Sequence, residues 1–161
     1  MKKFFLIALM TVMCAITSNA QNEKVYDETI DPIEQIDKAV LKAKSTNKLV
    51  ICQLGGNWCP WCLKFAKYIK QDQEIDKLIT ENFEYIHVNY KSDKDERSQK
   101  ANKRLNNAGR FGYPVLVILN PDGSVMHIQN SAYLEAGDGY DRKKVLQFFK
   151  QWTPAAAGIE I

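Results

Sequence analysis

Two cysteines three residues apart, Cys59 and Cys62, carry the most chemistry in this sequence. They stand in Asn57-Trp58-Cys59-Pro60-Trp61-Cys62, which follows the apolar run Leu49-Val50-Ile51-Cys52-Gln53-Leu54 and the turn pair Gly55-Gly56. A run of that length, rich in β-branched residues and closed by glycines, predicts a buried strand. After Cys62, the residues Leu63, Phe65, Ala66 and Ile69 fall at helical spacing. The pair therefore lies where a strand passes into the first turn of a helix. Pro60 suits the first helical position, which has no use for its N–H and prefers the φ that proline imposes. There the Cys59 sulfur faces the free N–H groups of the first turn and the positive end of the helix dipole. Both favour thiolate over thiol and lower the pKa below the ~8.5 of a free cysteine. A thiolate attacks disulfides, and a second cysteine three residues on reaches back to resolve the mixed disulfide.

Two other readings of the spacing stand beside the redox one. Cys-x-x-Cys is also half of a zinc site. The further ligands would have to come from Cys52, His87 and His127, none of them paired at ligand spacing. A structural disulfide is the remaining alternative. The redox reading is preferred, with no metal and no organic cofactor, because the cysteine pair itself carries two electrons. Cys52, inside the strand, reads as a buried inert thiol rather than a third redox cysteine.

The elements that position the pair follow from patterning. Gln21 to Thr29 is polar and reads as a loose arm, part of an arm over 21–30. Asp31-Pro32 starts a helix, Asp31 as cap and Pro32 at the first position. Its apolar stripe is Ile33, Ile36, Ala39, Val40, Leu41 and Ala43, with Lys38, Lys42 and Lys44 toward water. The strand from Lys48 to Leu54 has Val50, Cys52 and Leu54 on one face and Leu49, Ile51 and Gln53 on the other. Both faces are mostly apolar, as in a central strand covered on each side. The motif helix runs to about Lys70. Asp72 caps a second helix through Ile75, Leu78 and Ile79, and Phe83 to Val88 alternates as a strand. In the polar stretch Lys91 to Arg110, Asp93 and Glu96 read as a capping box, with Ala101, Leu105 and Ala108 inward. Val115 to Leu119 and Ser124 to Gln129 flank the turn Asn120-Pro121-Asp122-Gly123 and predict an antiparallel hairpin. Glu135, Asp138 and Asp141 match no calcium-loop pattern, so Asp141 reads as the cap of a last helix carrying Val145, Leu146, Phe148, Phe149 and Trp152.

The first twenty residues read as a cleaved signal peptide. Lys2 and Lys3 precede the apolar stretch Phe4 to Ile16, and Ser18-Asn19-Ala20 offers a small-x-small cleavage site before Gln21. The apolar run is too short for a membrane span. Cys14 is a poor lipidation site behind the bulky Met13. The expected location is periplasmic or secreted, with no membrane attachment after cleavage. The net charge of +3 falls to +1 without Lys2 and Lys3, so neither nucleic acid nor a membrane surface is a favoured partner. Residues 21–161 amount to one ordinary domain, and three remaining cysteines are too few for a disulfide-stabilised scaffold.

Trp58-Cys59-Pro60-Trp61-Cys62 after a buried strand, with Tyr113-Pro114 opening a later one, resembles the thioredoxin superfamily. The likeness is in particular to bacterial secreted thioredoxin-like proteins with a helix ahead of the first core strand. It spans roughly Asp31 to Trp152. The resemblance implies an α/β fold with a central mixed sheet of about four to five strands, flanked by helices on both faces. It places that domain over 31–153, with a tail over 154–161. It implies a cis peptide at Pro114, lying against the cysteines. The Tyr113 backbone would then pair with an extended substrate segment by strand addition. Trp58, Trp61 and Tyr113 are expected around the sulfur, Trp61 as substrate surface and Trp58 closer to the core. One departure stands out. Thioredoxins carry a buried acid six positions before the first cysteine, usually facing a lysine on the next strand. Here those positions are Gln53 and His87. Glutamine cannot take a proton, whereas a nearby histidine can.

The function expected is that of an exported, monomeric thiol–disulfide oxidoreductase that acts on protein thiols and disulfides and is recharged by an upstream redox partner. Cys59 is the nucleophile and Cys62 the resolving residue. Reductase is preferred over oxidase, since oxidases of this superfamily insert a helical domain after the motif helix and this chain has no room for one. The alternatives are a disulfide oxidase or isomerase, a polypeptide-binding module of the same fold, and a copper- or zinc-delivery protein.

Overall fold

The computed structural model of the protein describes residues 24–159. The signal peptide expected over 1–20 and the first residues of the arm lie outside that range. Helix α1 (Pro32–Ser45) leads into strand β1 (Leu49–Gly55), followed by α2 (Pro60–Gln71), α3 (Gln73–Asn82) and β2 (Phe83–Asn89). Helix α4 (Glu96–Arg104), β3 (Val115–Leu119) and β4 (Val125–Asn130) follow, then the two-residue strands β5 (Glu135–Ala136) and β6 (Gly139–Tyr140), and finally α5 (Arg142–Gln151). The main sheet is four-stranded in the order β2-β1-β3-β4. β1 pairs in parallel with β2 and antiparallel with β3, which forms the expected hairpin with β4. A mixed sheet of about four strands is what the resemblance implied.

β1 is buried along its whole length and divides the interior. Val50, Cys52 and Leu54 pack with Ile36, Ala39 and Ala43 of α1, with Ala101 of α4 and with Leu105 at its C-cap. Leu49 and Ile51 pack on the opposite face with Phe65 and Ile69 of α2, Ile75 and Ile79 of α3, and Phe148 and Phe149 of α5. Alternation along one strand thus becomes two cores, each closed by its own helices.

The helix caps follow local chemistry. Asp31 accepts from the N–H groups of Ile33 and Glu34, Asp72 from those of Glu74 and Ile75, and Asp141 from that of Lys144. Each satisfies donors that the first turn leaves unpaired. The cap of α4 corrects the expectation: it is Asp95, which accepts from Ser98 N–H, and not Asp93. Asp93 accepts instead from the Tyr90 hydroxyl. Leu41 was expected on the inward stripe of α1 but is 70% exposed; the stripe closes on Ala39 and Ala43, which lie on the sheet side of the helix. The β5–β6 hairpin had no signal in the sequence.

The larger correction concerns the arm. Within the described residues it is not loose, because Tyr26 is fully buried. Asn57, in the loop ahead of α2, accepts from the N–H groups of Val25 and Tyr26 and donates to the Tyr26 carbonyl and to Glu28. Those bonds fasten the segment across the mouth of the motif loop.

Candidate functional site

Cys59 is the N-cap of α2 and Pro60 its first residue. The Cys62 N–H points at Cys59 Sγ from 3.2 Å, and the Cys59 N–H donates to the Gly56 carbonyl. Cys59 and Cys62 are joined as a disulfide. Of the two, Cys59 keeps a margin of exposure, 5%, and Cys62 keeps none. Cys52 lies on the other face of β1, fully buried, and burial pushes its thiol up to about 12.

The Tyr113–Pro114 peptide is cis. The Tyr113 carbonyl oxygen lies 3.7 Å from Cys59 Sγ, so this segment borders the outer sulfur. The Tyr113 ring stands between Trp58, edge-on at 5.4 Å, and Tyr90, stacked at 5.1 Å. The two tryptophans exchange the places expected of them. Trp58 is 54% exposed, tethered through its indole N–H to the Tyr90 carbonyl. It folds back over Gly56, where an added Cβ would lie 2.3 Å from its Nε1. Trp61 is half-buried, edge-on to Tyr140 at 5.5 Å, with the Lys64 ammonium over its ring. Ring size does not decide which tryptophan the core takes. Their positions relative to the turn do, since Trp58 precedes α2 and Trp61 lies on its first turn, facing β6.

Behind the sulfurs, Gln53 is fully buried. It sits opposite His87 in the β1–β2 register, as the resemblance implied. Its amide makes no bond to that histidine. Gln53 Nε2 donates to the Cys62 carbonyl at 3.1 Å and to the Tyr26 hydroxyl oxygen at 2.5 Å, while the Tyr85 hydroxyl donates to Oε1 at 2.7 Å. The expectation that His87 takes the proton where Gln53 cannot meets an unfavourable setting. Its Nε2 is buried without a partner among the described residues, between the rings of Tyr26 and Tyr85, and burial lowers its pKa to about 4. At that value it is a poor base near neutral pH.

Tyr26 and Asn57 are the residues that sequence reasoning missed. The arm has no periodic apolar pattern that would announce a buried tyrosine, and Asn57 read only as part of the motif loop. Gly55 is the third. A Cβ there would lie 2.5 Å from Cys62 Sγ and 2.8 Å from the Tyr26 hydroxyl oxygen. Sulfur and hydroxyl thus both border the space its missing side chain leaves. Among the described residues, no group of three or more His, Cys, Asp or Glu side chains is arranged to hold a metal ion.

The fold that carries this site is shared with known proteins. The crystal structure of a disulphide isomerase from Xylella fastidiosa Temecula1 superposes with a TM-score of 0.68 at 25% identity, covering 78% of this chain and 94% of that one. A structure of a DsbH oxidoreductase shares the fold, with a TM-score of 0.51 at 20% identity over 77% of this chain and 82% of that one. An uncharacterized protein of Caenorhabditis elegans, B0495.5, is 28% identical over 85 residues, 53% of this chain but only 12% of that much longer relative. The family model Thioredox_DsbH, described as a protein of unknown function, DUF255, matches residues 17–155. A cysteine pair at the start of a helix, a cis-proline segment against its outer sulfur and a match over most of the chain all agree: the protein belongs to the Thioredox_DsbH family, within the thioredoxin superfamily of thiol–disulfide oxidoreductases.

Proposed function

We propose that the protein is an exported disulfide reductase in which Cys59 attacks and Cys62 resolves. The observation that carries this reading is the position of Cys59 as N-cap of α2, with the Cys62 N–H aimed at its sulfur. A thiolate there is stabilised by a donor already in place and by the helix dipole. In the first step the Cys59 thiolate forms a bond to one sulfur of a substrate disulfide, and the other sulfur leaves as a thiolate. In the second, the Cys62 thiolate attacks Cys59, the Cys59–substrate bond breaks, and the substrate's second thiolate departs. The substrate gains two electrons and the Cys59–Cys62 pair loses them. An upstream thiol donor of the same chemistry restores the dithiol.

Tyr113 and Pro114 are the substrate-binding segment in this reading, with exposed Trp58 as the apolar contact for an extended chain. Asp72 alone separates α2 from α3, so no helical domain of the kind found in oxidases interrupts the site. Export rests on the signal pattern of residues 1–20, and mature protein from an exporting cell should begin at Gln21. Isomerase is the second reading, favoured by the Xylella neighbour. Cys62→Ser should trap protein substrates as stable mixed disulfides through Cys59, and Cys59→Ser should trap none. A reduction potential near the thioredoxin value of ~−270 mV supports reductase, and one near the ~−180 mV of protein disulfide isomerase, with refolding of a scrambled substrate, supports isomerase.

A further inference from the structure

The Cys62 carbonyl can only accept a hydrogen bond, so the side of the Gln53 amide that meets it is the nitrogen. The two hydrogens of that nitrogen are then spent on the Cys62 carbonyl and the Tyr26 hydroxyl oxygen. Oε1 must be an acceptor, and Tyr85 supplies the donor. The bonds therefore run in one direction, from the Tyr85 hydroxyl through the Gln53 amide to the Tyr26 oxygen. Tyr26 accepts, and its own O–H has no acceptor among the described residues. That hydrogen is left at the end of a polarised chain, across Gly55 from Cys62 Sγ.

We propose that Tyr26 is a catalytic hydrogen-bond donor to Cys62, holding its thiolate while it resolves the mixed disulfide on Cys59. The proposal rests on the reading of Cys62 as the resolving residue. Attack requires a thiolate, and an apolar setting opposes one. A charge-assisted hydrogen bond offsets that cost, and polarisation along the Tyr85–Gln53–Tyr26 chain strengthens the donor. Tyr26 keeps its own proton throughout: burial holds its hydroxyl well above the ordinary phenol range. The Cys62 proton leaves to solvent before attack. Cys62 thiolate then bonds to Cys59 Sγ, the bond from Cys59 to the substrate sulfur breaks, and that sulfur departs as a thiolate with the electron pair.

The other titratable groups facing this space are Cys59 on the same helix, Tyr85 and His87 from β2, and Tyr140 from β6. Tyr85 and Tyr140 are held protonated by burial and His87 is held neutral. Among the described residues the buried polar side chains are Gln53, Ser98 and Ser131, so no buried carboxylate competes for the role. Tyr26 thus occupies, from the arm, the neighbourhood in which thioredoxins place their acid.

The test uses the mixed disulfide between Cys59 and 2-nitro-5-thiobenzoate, formed from Ellman's reagent at acid pH and then jumped to a series of higher pH values. Release of the second coloured thiolate reports resolution by Cys62. In the wild-type protein the rate should rise with pH through the ionisation of Cys62. In Tyr26→Phe that midpoint should move up by about one unit or more, slowing release about tenfold at pH 7, with the rate recovered at high pH. Tyr26→3-fluorotyrosine keeps the shape, is a stronger donor, and should move the midpoint down. An unshifted midpoint in Tyr26→Phe, including uniform slowing at every pH, would overturn the proposal. If Tyr26→Phe does not fold, an unshifted midpoint in the fluorotyrosine variant overturns it equally. Wild-type protein that never releases a second thiolate would remove Cys62 as the resolving residue, an outcome distinct from release with an unshifted midpoint.

Discussion

Asn57 and Tyr26 are joined by a reciprocal pair of hydrogen bonds, the Tyr26 N–H to Asn57 Oδ1 at 3.0 Å and Asn57 Nδ2 to the Tyr26 carbonyl at 2.8 Å. A side-chain amide here does what a neighbouring strand would do, giving the arm a peptide-like partner. The amide belongs to the loop that ends at Cys59, so arm and redox motif are built as one unit. Whatever loosens Asn57 also displaces the Tyr26 hydroxyl behind Cys62.

Asn57→Ala should therefore cost about 1–3 kcal/mol, since it also unpairs the Val25 N–H. Urea denaturation reads the loss, and limited proteolysis should find new cleavage between Lys24 and Ile30. A variant as stable as wild type and equally resistant in that segment would show that the clasp does not hold the arm.

Adjacent glycines should respond unequally to alanine. At Gly55 the new Cβ meets Cys62 Sγ and the Tyr26 hydroxyl, both held in the buried interior, and the expected cost is about 1–3 kcal/mol with impaired redox turnover. At Gly56 it meets the Trp58 indole, which is half exposed and can swing aside at the expense of its one bond to the Tyr90 carbonyl. Denaturation midpoints should fall further for Gly55→Ala than for Gly56→Ala, and the reverse order would contradict this account of the site.

In the reduced protein, a limiting amount of iodoacetamide at neutral pH should label Cys59 first. Its sulfur has both the exposure and the N–H donor, while Cys62 is enclosed and burial holds the Cys52 thiol up to about 12. Peptide mapping would show the order. Preferential labelling of Cys62 would reverse the assigned roles.

His87 makes stability depend on mild acid. The folded protein keeps it neutral down to about pH 4, whereas an unfolded chain protonates it near ~6.5. Between those values the unfolded state binds more protons, so stability falls as pH drops through that window. The full loss is about 3 kcal/mol. Urea titrations from pH 7 to pH 4 should show this decline in wild type and a shallower one in His87→Phe, whose ring suits the cage of Tyr26 and Tyr85. Identical slopes would mean that His87 is not the group responsible.

Much of the fold was legible because its signals are local. A cap needs an acceptor two or three residues before the donors it serves, so Asp31, Asp72 and Asp141 could be read directly. Alternation along Leu49–Leu54 announced two buried faces, and the same arithmetic put Cys59 at a helix start. The same locality explains the near miss at Asp93. Asp93 and Asp95 both precede α4 at workable spacing, and the choice fell to Asp95 because the Tyr90 hydroxyl engages Asp93.

The sequence by itself determined the cysteine chemistry and the strand and helix that carry it, and the family resemblance put Gln53 opposite His87. Only the tertiary structure decided what those two residues do. β1–β2 pairing sets which backbones are neighbours, but a side-chain amide turns to whatever polar partners reach it, and here they arrive from the arm, from α2 and from Tyr85. Tyr26 lies 27 positions from Gln53 in the chain, and no pattern within the arm encodes that meeting. It exists because Gly55 leaves a space, Asn57 supplies a clasp, and a buried glutamine needs its hydrogen bonds satisfied.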